Sequence, residues 1–409
     1  MDFLIDKSER YTYEDLLNIV NNADRYIPFF KEKSLYHFFC NLIVGLVSNQ
    51  PLVLLDSDIK LTELEEGVES KINKSKLISK HYFSTMADLI NAIHDSRSEI
   101  TIFTSGTTGQ PKKVIHSVMT LTRTVRIAER YKDKIWAFAY NPTHMAGLQV
   151  FFQALSNCNT LINVFNASRT DIYNAIKEWR ITHISATPTF YRLLLPVESS
   201  YVSVERVTLG GEKSDNHLYL SIKQIFPSAK INNIYASTEA GSLFAAKGEY
   251  FQLSIDLCDR VKVVDDELLL HKSLLGKSDD FSFSDGYYHT GDIIEWINQE
   301  ERLFKFKSRK NELINVGGYK VNPGEVENVI LRMNGIQQAL VYGKTNSVLG
   351  NILCAEIKIE PNVNLTELEI RQYLSGMLQD FKIPRKIKFV ESFSMTRLSL
   401  IHISEPTRH

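Results

Sequence analysis

The chain is poor in cysteine: Cys40, Cys158, Cys258 and Cys354 are the only four in 409 residues, and no two form a CxxC pair. This excludes a zinc ribbon and a disulfide framework and suits a reducing compartment, where the thiols serve as small buried hydrophobes. It also lacks an excess of either charge. With 47 Lys and Arg against 48 Asp and Glu, no global field draws it to nucleic acid or to an anionic membrane, so any anion site must be local. Long apolar runs are absent too; the best, residues 38–47, is too short to cross a bilayer. Residues 1–10 carry neither a basic n-region nor an apolar h-region, so a cytoplasmic location is expected. There is no internal repeat and no low-complexity tract. What remains is a globular chain long enough for two or three cores.

From about residue 50 to 240, β-rich runs alternate with helical patterns. Strands are expected at 52–55, 99–103, 135–140, 160–164, 183–186, 204–209 and 230–235, and helices at 119–131, 145–155, 171–179 and 216–226. Such alternation implies crossover connections and a mostly parallel sheet covered on both faces, with ligands at the loops leaving the strand ends. Past residue 250 the pattern becomes a hairpin, 260–264 and 267–271 around Asp265 and Asp266, followed by further short strands. After residues 308–311 the register resets, with helices at 325–333 and 367–378 and strands at 339–342 and 352–359. The fold class is α/β: a large domain over 1–307 with a β-rich subdomain at about 250–307, and a small α/β domain over 308–397.

One loop carries phosphate chemistry. Thr104, Ser105, Gly106, Thr107, Thr108 and Gly109 lead through Pro111 to Lys112. Glycines admit an anion close to the backbone, successive N–H groups form a nest, and hydroxyls with one ammonium complete a polyphosphate cradle. Alone, the stretch also fits an ordinary Gly/Ser/Thr surface loop. It is not the common nucleotide P-loop, which needs glycine directly before its lysine and Ser or Thr directly after; here Pro111 precedes Lys112 and Lys113 follows. Kinase and GTPase chemistry is thereby disfavoured.

Further motifs follow in order. Gly210, Gly211 and Glu212 leave the strand at 204–209, where a backbone can approach a planar ligand closely. The next strand ends in Tyr235, Ala236, Ser237, Thr238 and Glu239: a ring able to stack on a base, a hydroxyl for a phosphate, and a carboxylate for Mg²⁺. Asp292, after Thr290 and Gly291, offers an acceptor for two ribose hydroxyls. His144 lies in the run from Asn141 to Gly147, and Arg309 and Asn311 lie in a glycine-containing stretch over 308–327.

Together these motifs closely resemble the signatures of the adenylate-forming (AMP-binding) superfamily: acyl- and aryl-CoA synthetases, peptide-synthetase adenylation domains and luciferase-like ligases. The resemblance covers about residues 100–397. It implies that ATP and Mg²⁺ are bound by the loop, Tyr235, Thr238 and Glu239, with Asp292 on the ribose and Arg309 on ribose or phosphate. It implies that Asn311 is the hinge by position, although aspartate or lysine is usual there. His144 would border the acyl pocket, and Ala236, where glycine is usual, would narrow its floor. Amino-acid-activating relatives commonly carry aspartate where this chain has Met145, so a fatty or aromatic acid is favoured over an α-amino acid.

The implied reaction has two steps. A carboxylic acid and ATP give an acyl adenylate and pyrophosphate, and the small domain then rotates to present the thiol of coenzyme A. The phosphate loop comes early, with little sheet expected before it, as in stand-alone enzymes that load the phosphopantetheine of an acyl carrier protein; that is the nearest alternative. A non-catalytic nucleotide-binding homologue is the alternative of another class. Agreement with the family is good to Arg397 and ends there. Residues 398–409 read as a non-native tail standing where the family's glycine-lysine motif is due, so the chain as written is expected to bind ATP but adenylate slowly.

Overall fold

The computed structural model describes residues 1–57, 59, 67–104, 112–212, 214, 216–247, 250–310, 314–316, 319–346, 350–361, 363–391 and 393. Ser105, Gly106, Thr107, Thr108 and Gly109 of the loop, Asn311, and the tail 398–409 lie outside the described residues.

A 14-stranded sheet organises most of the chain. From one edge it runs Val261–Val264, Glu267–His271, Tyr287–Asn298, Leu303–Arg309, Tyr250–Gln252, Gly241–Lys247, Lys230–Ser237, Arg206–Gly210, His183–Ala186, Ile135–Phe138, Thr160–Asn163, Asp2–Asp6 and Glu9–Thr12, with the short strand Phe283–Ser284 paired to Tyr287–Asn298 off this path. The stretch from Lys230–Ser237 to Asp2–Asp6 is parallel, and pairing on either side of it is antiparallel. Parallel strands must bury both faces, and the side-chain alternation does so. Leu4, Phe138 and Leu161 enter one apolar cluster, whereas their neighbours Ile5, Ala137 and Ile162 enter another.

The first cluster contains the helices Leu35–Val47 and Met145–Leu155 and continues into Phe244, Phe251, Val261, Leu268 and Phe304. The strands beyond residue 250 therefore share a core with the parallel part. The second cluster is covered by Arg169–Trp179 and Asn216–Ile225. A third, separate core of Val321, Val326, Ile330, Leu353, Ile357, Ile370 and Leu374 lies between the helices Pro323–Leu331 and Glu367–Ser375 and the strands Ile336–Asn346 and Gly350–Ile359.

The expected strands at 52–55 and 183–186 and the helix at 145–155 occur with those bounds. The hairpin at 265–266 turns with φ of 49° and 62° at Asp265 and Asp266, the left-handed pair that a two-residue connection requires. Two expectations fail. The helix expected over 119–131 is only Val118–Thr122, followed by a turn and a 3-10 segment at Glu129–Tyr131. Thr120, Thr122, Thr124 and Val125 are β-branched, and the Thr122 hydroxyl bonds back to Val118 O at 2.8 Å, which weakens continued helix. Little sheet was expected before the phosphate loop, yet Asp2–Asp6, Glu9–Thr12, Phe29–Lys31 and Leu52–Leu55 all precede it.

Candidate functional site

The phosphate loop joins two antiparallel strands, Glu99–Thr104 and Lys112–Ser117, with Thr104 opposite Lys112. A common P-loop instead runs from strand into helix, so the hairpin agrees with the exclusion drawn from Pro111. The half-buried Lys112 has no ion pair or side-chain hydrogen bond among the described residues.

The strand Lys230–Ser237 carries the centre of the site at its C-terminal end, where parallel sheets place ligands. The Tyr235 ring stacks on Phe306, with centroids 4.5 Å apart and planes at 17°. Its hydroxyl donates to Asp292 Oδ2 at 2.5 Å. Arg309 Nε donates to Asp292 Oδ1 at 2.7 Å. Asp292 and Arg309 stand directly opposite each other on the ladder between Tyr287–Asn298 and Leu303–Arg309, which is why residues 17 apart share one carboxylate. Burial and the Asp292 carboxylate push the Tyr235 phenol well above its ordinary value, so it stays a donor.

Behind this corner, buried Glu267 binds the turn before Asp292. Its Oε1 accepts from Gly291 N at 2.9 Å, and its Oε2 meets His289 Nδ1 at 3.1 Å and Lys310 Nζ at 3.2 Å. Burial would raise the Glu267 carboxyl, but these partners outweigh it and hold it low. Tyr288, to which motif reading gave no role, packs its ring against Phe281 with centroids 5.0 Å apart. Burial first, then the Glu239 charge, pushes its phenol up to about 12, with Arg309 opposing and Asp292 reinforcing.

Thr238 and Glu239 follow the same strand and are half-buried. Neither side chain has a hydrogen-bond or ion-pair partner among the described residues. Their backbone is held instead: Thr238 O faces His116 Nε2 at 2.8 Å, and Glu239 O accepts from Gly276 N at 2.8 Å. No cluster of three or more His, Cys, Asp or Glu suited to a metal occurs among the described residues. A carboxylate unpaired among the described residues, beside a hydroxyl, nevertheless fits Mg²⁺, which is commonly bound through one or two carboxylates, substrate phosphates and water rather than a protein cage.

Gly210 and Gly211 close the strand Arg206–Gly210; Gly211 has φ of +83°, a conformation that favours glycine. Glu212, expected at the nucleotide, turns to the start of the helix Pro188–Leu193. Its Oε2 accepts from Thr189 N at 2.9 Å and Thr189 Oγ1 at 2.6 Å, a favourable place for an anion. Ala236 lies at a bulge where its strand meets Gly241–Lys247. His144, directly before the helix Met145–Leu155, stands apart from the Tyr235 corner in its contacts. Its Nε2 is 3.4 Å from Asp56 Oδ2. Asp56 also accepts from Thr143 Oγ1 at 2.9 Å and from Asn141 Nδ2. Burial raises the Asp56 carboxyl, but His144, Asn141 and Thr143 together hold it below its ordinary range. The sequence reading missed Asp56; its placement just after the strand Leu52–Leu55 was the available signal.

A family model described as AMP-binding enzyme matches residues 52–270, and one described as AMP-binding enzyme C-terminal domain matches residues 325–399. The chain is 26% identical over 400 residues to 4-hydroxybutyrate–CoA ligase 1 of Metallosphaera sedula, covering 85% of this chain and 70% of that protein. It is likewise 26% identical over 336 residues to 2-succinylbenzoate–CoA ligase of Listeria monocytogenes, covering 74% and 68%. Its fold matches o-succinylbenzoate CoA synthetase of Bacillus subtilis in complex with its acyl-adenylate intermediate, with a TM-score of 0.72, 18% identity and coverage of 98% and 94%. It also matches ATP-bound MatB of Rhodopseudomonas palustris, with a TM-score of 0.72, 15% identity and coverage of 97% and 93%. No helix among the described residues is long and apolar enough to cross a membrane. The chain belongs to the AMP-binding enzyme family, and it is an AMP-forming acid–thiol ligase.

Proposed function

We propose that the chain activates a fatty or aromatic carboxylic acid with ATP and passes the acyl group to the thiol of coenzyme A in the cytoplasm. The observation that carries this reading is the convergence, at the end of one strand, of the Tyr235–Asp292–Arg309 corner and the Thr238 and Glu239 side chains, which are unpaired among the described residues. In the first step the substrate carboxylate oxygen bonds to the α-phosphorus while the bond to the pyrophosphate oxygen breaks. Little covalent work falls to the protein; alignment and charge stabilisation dominate. Lys112 and the residues from Thr104 to Gly109 would cradle the phosphates. Tyr235 would lie against adenine, with Gly210 and Gly211 along the same edge and Glu212 holding the loop behind them through Thr189, and Ser237 and Thr238 would face the α-phosphate. Asp292 would accept from the ribose hydroxyls, with Arg309 beside it. Glu239 would hold Mg²⁺, which when bound neutralises charge on phosphate oxygens.

His144 and Ala236 would border the acyl pocket. Met145, at the position where the family resemblance implies that amino-acid-activating relatives commonly carry aspartate, is buried, and the substrates named for the two relatives, 4-hydroxybutyrate and 2-succinylbenzoate, are not α-amino acids. In the second step, domain 308–397 would turn about Asn311 and bring the thiol to the acyl carbon, expelling AMP.

The test is pyrophosphate release over short, long-chain and aromatic acids, with thioester formation measured against coenzyme A and against a phosphopantetheinylated carrier protein. Acid-dependent release with coenzyme A thioester supports the reading. Transfer only to the carrier would replace the acceptor, and saturable ATP binding with no acid-dependent pyrophosphate exchange would overturn the activity.

A further inference from the structure

The turn that carries Thr238 and Glu239 is anchored through its backbone from outside. Three successive carbonyls are each engaged by a different element: Thr238 O by His116 Nε2 at 2.8 Å, Glu239 O by Gly276 N at 2.8 Å, and Ala240 O by Arg123 Nη2. His116 lies on the strand Lys112–Ser117, Arg123 caps the helix Val118–Thr122, and Gly276 follows the 3-10 segment Lys272–Leu274. The last element is itself tied to the first. Ile115 and Lys277 exchange both backbone hydrogen bonds at 2.8 Å, and Arg123 Nη1 donates to Leu274 O at 3.3 Å.

His116 is the centre of this clamp. It is 1% exposed. A carbonyl only accepts, so Nε2 must carry the proton. Nδ1 has no partner among the described residues, which leaves the neutral Nε2–H tautomer as the form that satisfies the contact. Burial depresses the ring's pKa to about 4, against the Thr238 hydrogen bond and with the Arg123 charge assisting, so it is neutral near pH 7. The ring also sits on a surface that admits no extra atom. A Cβ at Gly276 would lie 2.6 Å from His116 Cε1, 2.7 Å from Val114 Cγ1 and 2.8 Å from Ile115 O. Thr238 and Glu239 have no side-chain partners of their own among the described residues, so what fixes their direction is the backbone that His116, Gly276 and Arg123 hold.

We propose that His116, assisted by Arg123, is a positioning residue for adenylation: it locks the Thr238–Glu239 turn to the strand bearing Lys112, so that the phosphate-directed ammonium, hydroxyl and carboxylate keep one fixed relation. The inference rests on the roles assigned above to Thr238 and Glu239. Residues that orient metal-directed groups from behind typically matter about 10- to 100-fold in affinity or rate.

The experiment compares His116→Gln, which keeps a side-chain N–H donor, with His116→Leu, which removes it, and with Arg123→Gln and Glu239→Gln. ATP affinity is measured by calorimetry with Mg²⁺ and with the metal chelated, and thermal midpoints are recorded in parallel. His116→Leu is expected to weaken ATP binding about tenfold with Mg²⁺ and clearly less without it, with His116→Gln recovering most of the loss. In the Glu239→Gln background the same Leu substitution should cost no more than about twofold, because its route to the metal is already cut. A merely structural role would instead lower the midpoint and weaken both affinities alike, and that result overturns the inference. Parent-like Mg²⁺-dependent binding in His116→Leu, with loss in Glu239→Gln, also overturns it while leaving the assigned roles standing. If Glu239→Gln itself binds ATP and Mg²⁺ like the parent, the reading of the turn fails first. Should His116→Leu not fold, His116→Gln and Arg123→Gln carry the decision: parent-like binding with Gln at 116 and Mg²⁺-selective loss with Gln at 123 support the clamp, and parent-like binding in both rejects it.

Discussion

Two parts of the candidate site are built on opposite plans. At the Tyr235 corner the functional side chains hold one another: a phenol and a guanidinium both donate to Asp292, within 2.5 and 2.7 Å. At the Thr238–Glu239 turn the side chains are left unpaired among the described residues while other elements grip the carbonyls behind them. The first plan gives a preformed acceptor whose geometry is set before nucleotide arrives. The second leaves a hydroxyl and a carboxylate ready for ligands without partners that must first be displaced.

The comparison can be broken first at the self-held corner. Asp292→Ala removes the proposed acceptor for two ribose hydroxyls and should weaken nucleotide binding about 100-fold or more, since each hydrogen bond to a charged group contributes about 1.5–3 kcal/mol. Calorimetric titration with ATP checks this; an affinity within about threefold of the parent would remove Asp292 from the ribose role.

Acid sharpens the contrast, because the clamp contains a buried neutral histidine. Burial holds His116 and His183 at about 4, so between about pH 6.5 and 4 the unfolded chain binds protons that the folded chain refuses. Their contribution is fully present above about 6.5, is lost as pH falls toward 4, and is flat below, on the order of 3 kcal/mol for each group. Denaturant titrations across this range should show the fall, and His116→Gln should flatten part of it.

Gly276→Ala tests the clamp's tightness. The new methyl meets a ring, a side chain and a carbonyl within 2.8 Å, and overpacking of this kind costs about 1–3 kcal/mol. A lowered thermal midpoint with weakened Mg²⁺-dependent ATP binding is expected. The smallest effect on nucleotide binding is expected from Tyr235→Phe, which keeps the stacked ring and loses one hydrogen bond to the charged Asp292, about 1.5–3 kcal/mol of stability. If it matches Asp292→Ala in nucleotide binding, the corner does not depend on the carboxylate.

The two plans differ in how far they could be read from the sequence. Tyr235, Asp292 and Arg309 stood in ordered motifs whose residue types suit adenine, ribose and phosphate, and the fold brings them into one contact network. His116 and Arg123 carried no such mark. Each acts on a carbonyl, 122 and 117 residues away respectively, and a carbonyl looks the same whatever residue bears it. Asp56 escaped for a related reason, since its partners Asn141, Thr143 and His144 lie more than 80 residues on. The parallel strands were legible because burial on both faces leaves continuous apolar runs. Asp2–Asp6 was not: a short apolar run between acidic residues becomes a strand only against Thr160–Asn163.

That pairing bears on how the protein is made. Asp2–Asp6 leaves the ribosome well before its parallel neighbour Thr160–Asn163, and Asn163 Nδ2 donates to Asp6 Oδ1 across 157 residues. Phe3 and Leu4 are fully buried in the finished core. During synthesis this strand has only its hairpin mate Glu9–Thr12 to pair with until the partner emerges, and a hairpin alone is marginal in water. At about 5–20 residues per second the wait lasts on the order of ten seconds or more. Through that interval an apolar segment stays open to capture by chaperones or by a neighbouring nascent chain, so the yield of folded enzyme depends on a strand far from the chemistry.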